Sequence, residues 1–179
     1  MQSIPTERLL LRPFTLNDLE DLYAYAKSPN VGPSAGWKPH EDLEDSLYIL
    51  KRFVETDLNW AIVELESSRV IGSVSLNTDK TRNIEGVRKL GYSMGEDYWG
   101  RGYMTEAARA VVAYGFCSLG LCIISVDHYP ENSRSKRVVE KCGFTYEGTL
   151  RMAIALFDGS LHDLCCYSIT RDEFELQNG

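Results

Sequence analysis

Tyr98-Trp99-Gly100-Arg101-Gly102-Tyr103-Met104-Thr105-Glu106-Ala107 is the stretch around which the chain is organised. Residues 86–94 before it read as a strand, and after it Met104, Ala108, Val111, Val112 and Phe116 recur at helical spacing. The unit is therefore strand, glycine turn, helix. Two glycines let the backbone turn tightly, so that successive N–H groups can converge on an anion at the helix N-terminus. Such a nest holds a pyrophosphate without a metal. Plain turns between strand and helix also use glycine, so the stretch alone leaves both readings open. Two familiar nucleotide motifs fail on residue identity. A dinucleotide fingerprint needs a third glycine near Thr105 and a unit that opens a parallel sheet. A P-loop needs Gly-Lys-Ser/Thr, which is absent.

Working outward, Leu9-Leu10-Leu11-Arg12 is a short strand stopped by Pro13, and Thr15 with Asp18 opens a helix carrying Leu19, Leu22, Tyr23 and Ala26 on one face. Pro29, Gly32, Pro33 and Gly36 make residues 28–40 a loop. Leu43, Leu47, Leu50 and Val54 predict a helix over 41–57, whose acidic face (Glu41, Asp42, Glu44, Asp45, Glu55, Asp57) reads as solvated. Strands follow at 60–63 and 70–76. Beyond the central helix, 122–128 is an apolar strand, 133–142 a helix with Gly143 as its C-cap, and Asp158-Gly159 joins a hairpin of about 145–157 and 160–170. Strands with interleaved helices in this order indicate an α/β or α+β fold on a mixed sheet. With no linker, repeat or low-complexity stretch, residues 1–179 are expected to form one domain.

The charge balance narrows the partners. Twenty-six acids against 19 bases leave −7, the wrong sign for displacing counterions from nucleic acid. That balance suits an amine or a basic peptide, and equally a surface that only keeps the protein soluble. The cysteines, Cys117, Cys122, Cys142, Cys165 and Cys166, are odd in number and lack the spacing of zinc or redox sites, so they read as buried reduced thiols and no metal is expected. The polar start, Met1 to Arg8, lacks the apolar core of a signal peptide, and no run approaches the ~18 apolar residues of a membrane span. A cytoplasmic protein without membrane partners is the expectation, as monomer or homodimer.

A second stretch, Asn132-Ser133-Arg134-Ser135-Lys136-Arg137-Val138-Val139-Glu140-Lys141-Cys142-Gly143-Phe144, completes a pattern. Together the two stretches resemble the GNAT N-acetyltransferase superfamily. Its pyrophosphate motif, Q/R-x-x-G-x-G/A, is matched in position by Trp99, Gly102 and Met104, and its later Asn-x-x-Ala/Ser and Glu-Lys-x-Gly-Phe by Asn132, Ser135, Glu140, Lys141, Gly143 and Phe144. The Glu7-Arg8-Leu9-Leu11-Arg12-Pro13 opening and the late Glu147-Gly148-Thr149-Leu150-Arg151 are similar to the branch of ribosomal-protein N-terminal (alanine and serine) acetyltransferases.

The resemblance implies a mixed, mostly antiparallel, splayed sheet flanked by helices, with acetyl-CoA as cosubstrate. Residues from about Leu90 to Met94, including Tyr92 and Ser93, would pair with the pantetheine amides like an added strand. Trp99, Gly100, Arg101, Gly102, Tyr103 and Met104, with the N–H of Thr105, would hold the pyrophosphate. Asn132 would contact the cofactor arm or lock its strand, and Ser135 would lie near the sulfur as the catalytic hydroxyl. Trp37 and His128 are the candidates for the acceptor side. Many relatives carry a tyrosine where this chain has Val139, and a glutamate where it has Arg88 and Lys89. Glu96, Asp127 and His128 therefore stay open as base. The implied activity is acetylation of a primary amine by direct attack on the thioester. A protein N-terminus is the first acceptor; a polyamine or aminoglycoside, or a non-catalytic acyl-CoA sensor, are the alternatives.

Overall fold

Residues 1–178 are described by a computed structural model. The strands are β1 (Ile4–Pro5), β2 (Leu9–Pro13), β3 (Asn59–Glu64), β4 (Val70–Asn77), β5 (Val87–Met94), β6 (Ile123–His128), β7 (Thr145–Ala155) and β8 (Leu161–Thr170). The helices are α1 (Leu19–Ala26), α2 (Val31–Ser34), α3 (Leu43–Glu55), α4 (Tyr103–Cys117), α5 (Ser133–Lys141) and α6 (Arg171–Asn178). The strands form one mixed, mostly antiparallel open sheet in the order β1-β2-β3-β4-β5-β6-β8-β7. Backbone contacts divide the chain into two compact units, Met1–Ser75 with Tyr92–Ala107, and Leu76–Gly91 with the residues from Ala108 on.

In the first unit β2 pairs with β3 and β3 with β4, all antiparallel. Every residue of β3 is buried, the signature of a strand covered on both faces. Leu22, Tyr25 and Ala26 of α1 and Leu50 of α3 meet Ala61 and Val63 there, with Trp37 and Trp99 packed at the margin. The first helix begins as its sequence predicts, whereas α3 starts at Leu43 rather than at 41, with Asp42 as its cap instead of on the solvated face. Thr15 and Asp18 form a reciprocal capping box on a 3₁₀ turn, Leu16–Asp18, ahead of α1. Asp42 accepts from the N–H groups of Glu44 (2.9 Å) and Asp45 (3.0 Å) to start α3. Trp60 is wholly buried, its indole N–H donating to the Gln2 carbonyl at 2.9 Å, so it is a core residue.

In the second unit β6 runs antiparallel to β8 from Ile123↔Thr170 to His128↔Cys165, and β7 pairs outside β8. The hairpin turn holds Gly159 at φ +83°. Leu156 N–H donates to the Ser160 carbonyl (2.9 Å) and Gly159 N–H to the Leu156 carbonyl (3.0 Å). Phe157, Asp158 and Gly159 thus make a three-residue loop with a left-handed glycine, longer than a two-residue connection. Two expectations change here. The C-terminal helix α6 was signalled by Thr170-x-x-Glu173: Thr170 N–H donates to Glu173 at 2.8 Å and Glu173 N–H returns to the Thr170 hydroxyl at 3.3 Å. Phe174 then stacks on Phe116 of α4, ring centroids 4.9 Å apart. Nor are all five thiols buried, because Cys117 and Cys122 lie at an exposed helix end and turn.

Candidate active site

In the first unit a continuous run leads from β5 into α4. Ser93 Oγ lies 3.0 Å from Ser73 Oγ, and a Cβ on Gly72 would collide with the Ser93 carbonyl oxygen, so β4 and β5 pass closely here. Gly95 N–H donates to Ile71 (2.8 Å), and a 3₁₀ turn, Glu96–Tyr98, leads to Trp99. Trp99 explains its own departure from the family motif. Its indole N–H donates to the Met94 carbonyl at 2.8 Å and its ring packs on the core, fastening the turn to the strand end.

Gly100 (φ +77°) and Gly102 (φ +81°) are both left-handed, a region costing other L-residues roughly 1–2 kcal/mol. Residues 100–102 are exposed, whereas the Tyr103 and Met104 side chains turn inward. Tyr103 hydroxyl donates to Glu64 Oε1 at 2.7 Å, and bonds from Ser67 and Tyr103 hold the Glu64 carboxyl below its usual value. The α4 ladder runs from Gly102, whose carbonyl accepts from the Glu106 N–H at 3.1 Å, so the exposed glycine turn leads directly into the helix N-terminus. An anion fits this arrangement of exposed loop, left-handed glycines and helix start. Trp37 stands apart from this run, in the loop after α2, with its ring against Gly32 and 5.2 Å from the ring of His40. Glu96 accepts from Ser28 (3.0 Å) and Asn30 (2.9 Å), so it serves as a loop tie.

In the second unit the candidate residues lie at the ends of β6 and α5. The parallel ladder between β5 and β6 covers Val87↔Ile123, Arg88↔Ile124 and Lys89↔Ser125, while β6 continues to His128 on β8 alone. Asp127 is ion-paired to Lys89. His128 is 5% exposed. Its Nδ1 lies 2.8 Å from the Tyr129 carbonyl, which can only accept, so Nδ1 is the donor there and Nε2 is the ring's other nitrogen. That Nε2 is buried with no partner among the described residues, beside the Tyr167 ring at 5.3 Å. Asn132 caps α5, its Oδ1 accepting from Ser135 N–H at 3.0 Å, which fixes the buried Ser135 in the helix's first turn. Val139, where relatives carry tyrosine, is 1% exposed and belongs to the core.

Sequence reading missed one polar cluster. Buried Asp79 accepts from Ser125 (2.6 Å), Thr81 (2.5 Å) and Arg82 (3.1 Å), and Arg82 reaches Glu147, which accepts from Ser168 at 2.8 Å. Burial pushes the Asp79 carboxyl up, but these bonds outweigh it and hold it well below the carboxylate range. The one signal was Asp79-x-Thr81, an Asx turn. Burial pushes the Cys142 thiol up to about 11, far from a nucleophile's range. No helix among the described residues is long and apolar enough to cross a membrane.

Residues 8–145 match a family model described as acetyltransferase (GNAT) domain. The chain is 30% identical, across 97% of its length and 99% of the relative's, to "Uncharacterized N-acetyltransferase p20" of Bacillus licheniformis. It is similar to the crystal structure of a GNAT-family acetyltransferase from Bacillus anthracis, with TM-score 0.86, 25% identity and coverage of 96% and 99% of the two chains. It shares its fold with the ribosomal-protein-S5-alanine acetyltransferase of Vibrio fischeri, at TM-score 0.78, 23% identity and coverage of 96% and 98%. The glycine turn opening α4, the asparagine-capped α5 and these matches lead to one conclusion: the chain belongs to the GNAT acetyltransferases, enzymes that move an acetyl group from acetyl-CoA to an amine.

Proposed function

We propose that this enzyme acetylates the α-amine at the N-terminus of a protein or peptide. Acetyl-CoA supplies the activated acetyl group as a thioester. Tyr92, Ser93 and Met94 at the end of β5 would pair with its pantetheine amides, and the turn from Trp99 to Met104 with the N–H of Thr105 would hold its pyrophosphate. The observation that carries this reading is the exposed turn with Gly100 and Gly102 left-handed at the head of α4. Backbone donors in a fixed array stabilise charge with little reorganisation.

The choice of acceptor follows from the state of the candidate bases. Asp127 is committed to Lys89 and Glu96 to Ser28 and Asn30, which leaves His128, whose Nδ1 is tied to the Tyr129 carbonyl. An unperturbed lysine amine, pKa ~10.4, costs ~4.6 kcal/mol to deprotonate at pH 7, whereas an α-amine at ~7.7–8.0 costs ~1–1.4. A site with little basic assistance favours the α-amine. Trp37 and His128 would face that acceptor, and Ser135 would protonate or solvate the departing thiolate. The Vibrio fischeri neighbour, a ribosomal-protein-S5-alanine acetyltransferase, is in keeping with such an acceptor.

Free-thiol release from acetyl-CoA tests the reading. A peptide with a free Ala or Ser N-terminus should outperform the same peptide blocked there but carrying a free lysine. Preference for lysine or spermidine would overturn the proposal.

A further inference from the structure

Glu106 stands in the first turn of α4, where a carboxylate competes with any bound anion for the helix N-terminus. Both its oxygens are occupied by the segment between β1 and β2. Oε1 accepts from the Thr6 hydroxyl (2.7 Å) and the Arg8 N–H (2.8 Å), and Oε2 from Arg8 Nε (2.8 Å) and Nη2 (2.7 Å). Burial pushes the Glu106 carboxyl up, but these bonds outweigh it and keep the group ionised and matched to its cation.

The same guanidinium has two further contacts. Nη1 donates to the Arg101 carbonyl at 3.0 Å, and the group lies 4.6 Å from the centre of the Tyr103 ring. Arginine's rigid fork lets one side chain hold a carboxylate on one edge and a carbonyl on the other, which a lysine cannot reproduce. No peptide bond in the described chain is cis, and a trans peptide points its C=O and the following N–H in opposite directions. Gripping the Arg101 carbonyl therefore turns the Gly102 N–H away from Arg8. The turn itself is open to a ligand: residues 100–102 are exposed, and a Cβ at Gly100 would meet nothing within 4 Å.

We infer that Arg8 is a positioning residue for cofactor binding: it neutralises Glu106 and orients the Gly102 N–H toward the pyrophosphate. This rests on the turn being the pyrophosphate site, and it gives the Glu7-Arg8-Leu9 opening of the chain a role in binding.

The test uses the full chain, with acetyl-CoA affinity by calorimetry and kinetics on both acetyl-CoA and acetyl-pantetheine, which lacks the pyrophosphate. Arg8→Ala and Arg8→Lys should each weaken acetyl-CoA binding about tenfold or more, the scale of a lost charge-assisted bond. The KM for acetyl-CoA should rise in step while kcat moves less than about twofold. With acetyl-pantetheine, kcat/KM should fall by less than about twofold. Full rescue by Arg8→Lys, or equal loss on both donors, would overturn the role of Arg8 alone. Should Arg8→Ala not fold, Arg8→Lys carries the comparison. Unchanged acetyl-CoA affinity in folded Gly102→Glu would instead overturn the pyrophosphate assignment, and the role of Arg8 with it.

Discussion

At the scale of single residues, Gly102 combines two demands, a left-handed φ and an exposed place in the proposed anion site. Gly102→Ala violates only the first, so it should cost roughly 1–2 kcal/mol of loop strain, read as a drop in stability or in acetyl-CoA affinity. Gly102→Glu adds a negative charge at a helix N-terminus meant for a phosphate, and calorimetry should show affinity lost well beyond the alanine variant. Ser135 is subtler. A thiol of pKa ~8.5 leaves tolerably near neutrality, so Ser135→Ala should lower turnover roughly ten- to a hundredfold with cofactor affinity held. Untouched turnover would mark Ser135 as a packing residue of α5. The acceptor's ionisation sets a third expectation. With an α-amine peptide, kcat/KM should rise with pH and level off near the amine's own pKa, ~7.7–8.0. A profile still climbing well above that range would point to a different acceptor.

At the scale of elements, the segments around the site are held by caps and ties as much as by propensity. Helix α5 is short and polar, Ser-Arg-Ser-Lys-Arg-Val-Val-Glu-Lys, and depends on Asn132 at its start. Asn132→Ala should cost about 1 kcal/mol in urea unfolding, and Asn132→Asp, which keeps the acceptor, much less. If Asn132 also touches the cofactor, as the family resemblance implies, Asn132→Asp should still weaken acetyl-CoA binding while restoring stability. Equal recovery of both properties would leave Asn132 only a cap. Helix α6 shows the same economy of signal. Its capping box was legible in Thr170 and Glu173, but with Phe174 as its one large ring against α4, apolar periodicity was too sparse to reveal it.

At the scale of the whole molecule, the acidic groups set the pH window of stability. Asp79 and Glu147, and in the other unit Asp18 and Glu106, all have folded pKa values below their ordinary ones. For Glu147 the leading cause is the Arg82 bond; for the other three, hydrogen bonds and cations overcome an opposing burial. A depressed folded pKa contributes stability that is complete above the unfolded value, ~3.9 for Asp and ~4.3 for Glu, and is lost as pH falls toward the folded one. Unfolding free energy should therefore decline below about pH 4.5. Asp79→Ala, which takes the acceptor from Ser125 and Thr81 and leaves Arg82 to Glu147 alone, should cost about 1–3 kcal/mol and flatten that decline. An Asp79→Ala protein with the parent's acid profile would contradict this account of the cluster.

Much of this architecture was readable in the amino-acid order, because its signals are local. The stripes of α3 and α4, the Gly100 and Gly102 turn, the Thr15 and Asp18 capping box, the Gly143 C-cap and the Asp158-Gly159 hairpin each lie within one short window. Each answers a local demand: a period, a φ value, an orphan N–H. The motif residues that carried the family resemblance sit in those same windows. What tertiary structure decided is everything that joins distant windows. Arg8 and Glu106 are 98 positions apart, Asp79 and Ser125 are 46, and Lys89 and Asp127 are 38. Trp99 could equally have pointed outward, and Trp60 could have lined a cavity, until neighbouring strands and loops decided which surfaces had room. Ion pairs and buried indoles depend on which elements become neighbours, and no periodicity along the chain encodes that choice.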